Sequence, residues 1–187
     1  MGFRKILLLI GFIVYGFFAC ANPALAMSFS ADFYGSDGNN GRIYIDSNKT
    51  RMETKEMISI TRFDKMLVWL LMPEEKIYME QSLNPVETNQ KHLPSNDAVT
   101  DEIERVFILH ETINGYASDK YKITISNQSS HYEWISSDPG IMMSVKTAAI
   151  DDSWWNEYRN ISLGVPDSSL FEIPAGYTKM NIPSMGG

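Results

Sequence analysis

Thiols are nearly absent from this chain: its 187 residues hold a single cysteine, Cys20. A disulfide framework and a multi-cysteine metal site are thereby excluded. Histidine is also scarce, with only His92, His110 and His131 present. No two of them stand at the i, i+4 spacing of a helical metal site, and they read as ordinary surface or strand histidines. No run of lysine or arginine occurs, which argues against nucleic-acid binding. No G-x-S-x-G appears, so the sequence offers no nucleophile elbow. The paired carboxylates Glu74-Glu75 and Asp151-Asp152 sit in turn-like sequence. Neighbouring residues on a strand point to opposite faces, so they read as solvated turn charges rather than an acid–base couple. No catalytic group, metal site or cofactor is expected, and the sequence does not read as an enzyme.

One long apolar run is present, and it lies at the start. Arg4 and Lys5 precede an apolar stretch over residues 6–19, Pro23 breaks the helix, and Ala24-Leu25-Ala26 follows. This is the three-part layout of a removable export signal, with small residues at both positions that a signal peptidase inspects. A spanning helix needs roughly 20 apolar residues, and this run is shorter. Residues 1–26 are therefore expected to be removed, leaving Met27 as the mature N-terminus and a protein in the periplasm or the medium. The alternative is lipidation at Cys20, after Phe17-Phe18-Ala19, which would tether the protein to the envelope. Without residues 1–26 the chain carries 14 basic and 23 acidic side chains, a net charge near −9. That charge disfavours nucleic acid and lasting adhesion to anionic lipid, so an untethered protein meets a membrane only transiently.

The remaining 161 residues are enough for one domain with a core. Their dominant signal is period-two alternation in short segments separated by turn residues, the pattern of antiparallel strands. Such segments cover residues 28–34, 42–46, 49–54, 57–63, 66–72, 77–81, 105–112, 121–126, 131–135, 141–147, 158–163 and 170–180. Asn114-Gly115 is a hairpin-turn dipeptide, here expected within a longer connection. Residues 82–100 are polar, contain Pro85 and Pro94, and read as a long connection. Its end has Val99, Ile103 and Val106 at i, i+4 and i+7, which predicts a short helix. These features together predict a mainly β fold: one curved antiparallel sheet, unclosed as a half-barrel, with at most one or two short helices in the lid region over 82–100.

Residues 66–72 supply a sharper constraint. They are seven apolar residues in a row, closed by Pro73-Glu74-Glu75-Lys76. A strand with one wet face should alternate, and this one does not. A hairpin that pairs Met72 with Ile77 puts Val68, Leu70, Met72, Ile77 and Met79 on one face. Leu67, Trp69, Leu71, Tyr78 and Glu80 fall on the other. Both faces need a cover. Met66, Met72, Met79, Met142 and Met143 stand where β-branched residues are usual, and flexible methionine suits either an irregular core or a surface for variable apolar ligands. Of Trp154-Trp155, at least one is expected to be structural.

The order of motifs resembles the LolA-like superfamily of periplasmic lipoprotein carriers, closest to its uncharacterised lipoprotein-sorting-like branch. The likeness rests on Gly41-Arg42-Ile43-Tyr44, Arg51-Met52-Glu53, Arg62-Phe63-Asp64-Lys65, Val68-Trp69-Leu70 and Pro73-Glu74-Glu75-Lys76-Ile77-Tyr78. It continues through Asn114-Gly115-Tyr116, Lys120-Tyr121, Glu133-Trp134, Asn160-Ile161, Leu170-Phe171-Glu172-Ile173-Pro174 and Ala175-Gly176-Tyr177. The resemblance implies a β half-barrel whose concave side is apolar and holds acyl chains. The carrier's lid-fastening arginine has no counterpart, since the matching stretch reads Ile45-Asp46-Ser47-Asn48.

Two functions follow from different classes. In the first, an exported envelope protein binds or carries a lipid or acyl chain on Val68, Leu70, Met72, Ile77, Met79 and Met143. In the second, that face is a filled core, and Trp69, Leu71 and Tyr78 meet another envelope protein. Export itself is directly testable: the intact mass of protein recovered from the envelope fraction is expected to correspond to a chain starting at Met27, whereas a diacylated chain starting at Cys20 would show the tethered form.

Overall fold

The computed structural model describes residues 28–83, 103–125 and 130–180. The export signal, with Ala24, Ala26, Met27 and Cys20, lies outside the described residues, as do His92, Val99 and most of the expected lid region. Twelve strands follow one another among the described residues. They are β1 (Phe29–Gly35), β2 (Gly41–Asp46), β3 (Lys49–Thr54), β4 (Ile58–Arg62), β5 (Leu67–Met72) and β6 (Ile77–Ser82). The second half adds β7 (Ile103–Ile113), β8 (Tyr116–Ile125), β9 (His131–Ser136), β10 (Ser144–Ala149), β11 (Trp155–Leu163) and β12 (Thr178–Lys179). The only helix among the described residues is a 3-10 turn, Ser168–Phe171, opened by Asp167, whose side chain accepts from the Ser169 N–H at 2.8 Å.

All twelve strands form one curved, unclosed sheet in the order β12-β6-β5-β4-β3-β2-β1-β11-β10-β9-β8-β7. Two meanders make up this order. Strands β1 to β6 pair with their chain neighbours, as do β7 to β11, and β1 joins β11 antiparallel in the middle. Strand β12 is the one parallel member, pairing Thr178 with Ile77 and Lys179 with Tyr78. A bulge interrupts β1–β11, where the register shifts between Ser30 and Asp32 and Asn160 takes a φ of 51°. Asn160 is tied there by its side-chain amide, which donates to Asp32 at 2.7 Å.

The hairpin at Asn114-Gly115 is tighter than expected. Ile113 pairs directly with Tyr116, and Asn114 and Gly115 have φ of 52° and 90°. Positive φ at both central residues matches the strand twist, which is why this dipeptide needs no further residues. The expected helix through Ile103 and Val106 is instead the start of β7. Its Val106-Phe107-Ile108-Leu109 run has the β-branched and aromatic composition of a strand, and ten paired positions with β8 outweigh a three-residue helical spacing. The expected strand at 170–180 is reduced to β12, and the residues before it serve as a cover described below.

Gly41 shows how tightly β1, β2 and β3 are drawn together. A Cβ there would lie 1.8 Å from the Glu53 carbonyl oxygen and 2.9 Å from the Phe33 ring. Any side chain must push the strands apart. Gly41→Ala is expected to lower stability by about 1–3 kcal/mol, read as a lower urea midpoint with an unchanged slope while the far-ultraviolet spectrum stays β-type.

Candidate functional site

Cross-strand register assembles one face of the sheet residue by residue. Met79 stands opposite Leu70, Leu70 opposite Ser59, and Ser59 opposite Met52. Met52 then stands opposite Ile43, and Ile43 opposite Ala31. Directly paired residues share a face, so these six form a single row across β6 to β1. Ala31 and Ile43 are fully buried, and Leu70 and Met79 are 3% and 6% exposed. A second row joins Thr54, Gly41, Phe33 and Tyr158 on β3, β2, β1 and β11, and the Met72–Ile77 pair of β5 and β6 stands level with it just beyond the end of β4. The β1–β2 part of this face is a packed cluster of Phe29, Ala31, Phe33, Ile43 and Ile45, joined by Met52, Met143, Tyr158 and Ile161.

Of the six residues expected to line a ligand site, five therefore lie together. Met72 pairs with Ile77 as the turn spacing required, and this carries Val68, Leu70 and Met79 onto the same face. Met143 is placed elsewhere. It precedes β10, six strands away from β5 in the sheet order, and packs between the Phe29 cluster and a second core of Trp134, Ile141, Val145 and Ala148.

The opposite face is already taken. Trp69, Leu71 and Ile60 are buried with Phe171, and Tyr44, Ile58, Leu67, Tyr78, Leu170, Ile173 and Tyr177 pack around them. The expected partner surface of Trp69, Leu71 and Tyr78 is thus covered by the chain's own C-terminal segment. The physical reason is the double-sided apolar character of β5: its second face is closed from within the same molecule.

Two buried arginines hold that cover down. Arg51 donates to the Leu170 carbonyl at 2.8 Å and to Glu53 at 2.6 Å. Arg62 donates to the Phe171 carbonyl at 3.1 Å, pairs with Glu172, and holds Asp64 through two contacts of 2.8 and 2.6 Å. Lys65 reaches Glu172 at 3.4 Å and lies 5.2 Å from the Trp69 ring. The hydrogen bond from Arg62 pulls the Asp64 carboxyl down to about 2. Burial works to raise the Glu172 carboxyl, but the hydrogen bond and charge of Arg62 outweigh it and keep it low. At the sheet edge Glu80 accepts from the Trp69 indole at 2.8 Å and from Lys179 at 2.7 Å, so β12 is anchored too. Composition gives no hint of the two arginine anchors. The sequence signal was the pair of motifs Arg62-Phe63-Asp64-Lys65 and Leu170-Phe171-Glu172, 107 residues apart at Lys65 and Glu172, whose contact only the fold reveals.

The β7–β10 half carries a different surface. Lys120 lies 4.1 and 4.5 Å from the Tyr132 and Trp134 rings, Lys146 lies 4.9 Å from Trp134, and the Trp134 indole donates to Glu111. Strand β7 forms one end of the sheet, and Val106, Phe107, Ile108 and Leu109 are each 41–45% exposed there. His110 accompanies Asp119 at 2.6 Å beside an open polar recess, and His131 meets Glu133 at 3.2 Å. Among the described residues, no three His, Cys, Asp or Glu side chains converge in a way that would hold a metal ion.

The arginine clamp gives a pH dependence of definite sign. Carboxyls held below their unfolded values stabilise the fold fully above the ordinary carboxyl range, and that contribution is lost as pH falls through their lowered values, which for Asp64 is about 2. Arg62→Gln is expected to lower stability at pH 7 and to flatten the loss between pH 4 and 2, measured by urea unfolding across that range. Phe171→Ala should cost about 3–5 kcal/mol by opening a cavity beneath the cover.

A family model described as "Domain of unknown function (DUF4412)" matches residues 24–153. No curated protein matches the chain. Among solved structures, an uncharacterized conserved protein from Thermus thermophilus is similar over 83% of this chain and 91% of its own, at 8% identity and a TM-score of 0.58. A chain in the complex structure of Pseudomonas aeruginosa MucA/MucB is similar over 80% of this chain, at 14% identity and a TM-score of 0.50. This chain spans 56% of that one. At such identities the likeness speaks for the fold alone, and it agrees with the half-barrel expected from the sequence. The family match covers β1 to β10, well over half of the chain, and on that ground the protein belongs to the DUF4412 family.

Proposed function

We propose that this is an exported envelope protein that binds or carries an apolar ligand, a lipid or acyl chain, on the concave face of a LolA-like half-barrel. The observation that carries the reading is the row Met79–Leu70–Ser59–Met52–Ile43–Ala31, which runs across six strands and is apolar except for one serine. The reverse face of the same strands is closed by the C-terminal segment, and the front row is an interior one, with Ala31 and Ile43 fully buried and Leu70 and Met79 nearly so, which supports a ligand held inside the half-barrel rather than on its outer surface. Val68, Leu70, Met72, Ile77 and Met79 line the site, and methionine side chains let it adapt to chains of varied shape. Each CH₂ removed from water is worth about 0.8 kcal/mol, so a long chain binds well after ordering costs are met. Cleavage after Ala26 frees the protein into the periplasm, where its acidic charge keeps it off anionic lipid surfaces.

The test is native mass spectrometry of the purified mature protein for co-purifying lipid, followed by titration with a fluorescent fatty acid. Leu70→Asp is expected to abolish uptake by placing a carboxylate in the row. Met72→Asn, at a half-buried position, should weaken uptake with less risk to folding, and Glu75→Gln, in the exposed turn, should leave it unchanged. Circular dichroism confirms that each variant folds. A folded wild type that carries no lipid and binds no probe would move the assignment to an envelope interaction protein. For that function the exposed Val106–Leu109 run on the edge strand β7 is the surface to test.

A further inference from the structure

Tyr158 places a hydroxyl on the apolar face that the molecule does not use. It stands opposite Phe33 on β1, in the row that leads to Met72 and Ile77, and it packs against the Phe29–Ile45 cluster. Its backbone carbonyl accepts from the Asn114 side chain at 3.3 Å. Its hydroxyl has no hydrogen-bond partner among the described residues, although every fully enclosed side-chain polar atom has one. Thr54, the hydroxyl nearest in that row, is already bonded to the Met57 carbonyl at 3.0 Å. On the reverse face the indole of Trp69 and both buried arginines are all matched to acceptors.

Burial in these apolar surroundings pushes the Tyr158 phenol up to about 12. The proton is therefore retained at any physiological pH, and the group serves as a neutral donor. Tyr158 is half-buried rather than enclosed, so its hydroxyl is open to a molecule arriving from outside. A donor that spends no hydrogen bond on the protein is free to exchange water for an acceptor that a ligand brings.

We propose that the Tyr158 hydroxyl is the polar anchor of the ligand site, donating to the carbonyl or carboxyl oxygen of an acyl ligand whose chain runs along the sheet toward Leu70 and Met79. This rests on the ligand-binding reading above and adds the head-group chemistry and the direction in which the ligand lies. Five strand spacings separate β11 from β5, about 24 Å along the arc of the sheet, a span suited to a long acyl chain rather than a short one. A donor that does not ionise selects acceptor oxygens and has no need of charge. Free acids and their esters are both ligands, and hydrocarbons of equal length are poorer ones.

The experiment uses the mature protein and its Tyr158→Phe variant, loaded with a fluorescent fatty acid and titrated with palmitic acid, methyl palmitate and hexadecane. In the wild type both oxygen-bearing ligands are expected to displace the probe at least tenfold more effectively than hexadecane, and Tyr158→Phe should erase roughly that tenfold difference while leaving hexadecane unchanged. Removing one hydroxyl from a half-buried ring keeps its shape, and circular dichroism verifies the fold. If Tyr158→Phe takes up palmitate and methyl palmitate with wild-type affinity, the anchor is wrong and the carrier function stands. If the wild type takes up none of the three, the carrier function itself fails and the anchor goes with it.

Discussion

A strand that is apolar on both sides has to be shielded from water twice, and β5 imposes that condition on everything around it. Leu67, Trp69 and Leu71 face one way, and Val68, Leu70 and Met72 the other. The first set is closed by Phe171 and its neighbours, which return from the end of the chain. That return is not a hydrophobic event alone. A segment with little regular structure exposes carbonyls to an apolar surface, and carbonyls without donors would be costly there. Arg51 and Arg62 supply the donors, and Asp64, Glu53 and Glu172 neutralise the arginines in turn. The clamp is a way of laying irregular backbone on a dry sheet.

The same condition explains why the two faces divide their labour. The reverse face near β5 is occupied by protein, held by charge and sealed by an edge strand. The front face has no such fastening among the described residues, and its polar side chains on β1 to β6 are uncharged: Thr50, Thr54, Ser59, Thr61 and Gln81, followed on β11 by Tyr158. On the ligand-binding proposal this asymmetry has a use, because a core spends all of its hydrogen bonds internally and a site keeps some for its ligand. Family membership leaves the activity open, and the fold admits several, so the case for a ligand rests on these side chains and not on the architecture.

Local pattern carried the sheet a long way. Alternation located most strands, and the turn Pro73-Glu74-Glu75-Lys76 set the β5–β6 register to the residue, because a one-residue slip would have inverted every side chain. What stayed hidden depends on distance along the chain. Phe171 reads as part of a strand until it is known to lie on Trp69, and Arg62 is one residue of a motif until Glu172 is beside it. The start of β7 failed for another reason. Ile103 and Val106 satisfy a helical spacing, yet pairing with β8 decides their state. Tyr158 was legible as a strand residue, but nothing local marks a hydroxyl that lacks a partner.

The junction of β1 with β11 has a consequence for how the molecule comes into being. Each meander is built from contacts between chain neighbours, so each can assemble soon after its residues are available. The seam between them joins Phe29 to Leu163, and these are the most distant partners in the sheet. Loop closure over that length is slow, and β1 keeps one bare edge until it happens. A chain that emerges from its N-terminus therefore passes through an interval with half a sheet formed, the dry reverse of β5 uncovered and a strand edge open to any neighbour. The arrival of β11 and the segment behind it ends that interval, which makes the C-terminal part of the chain the step on which productive folding outcompetes association.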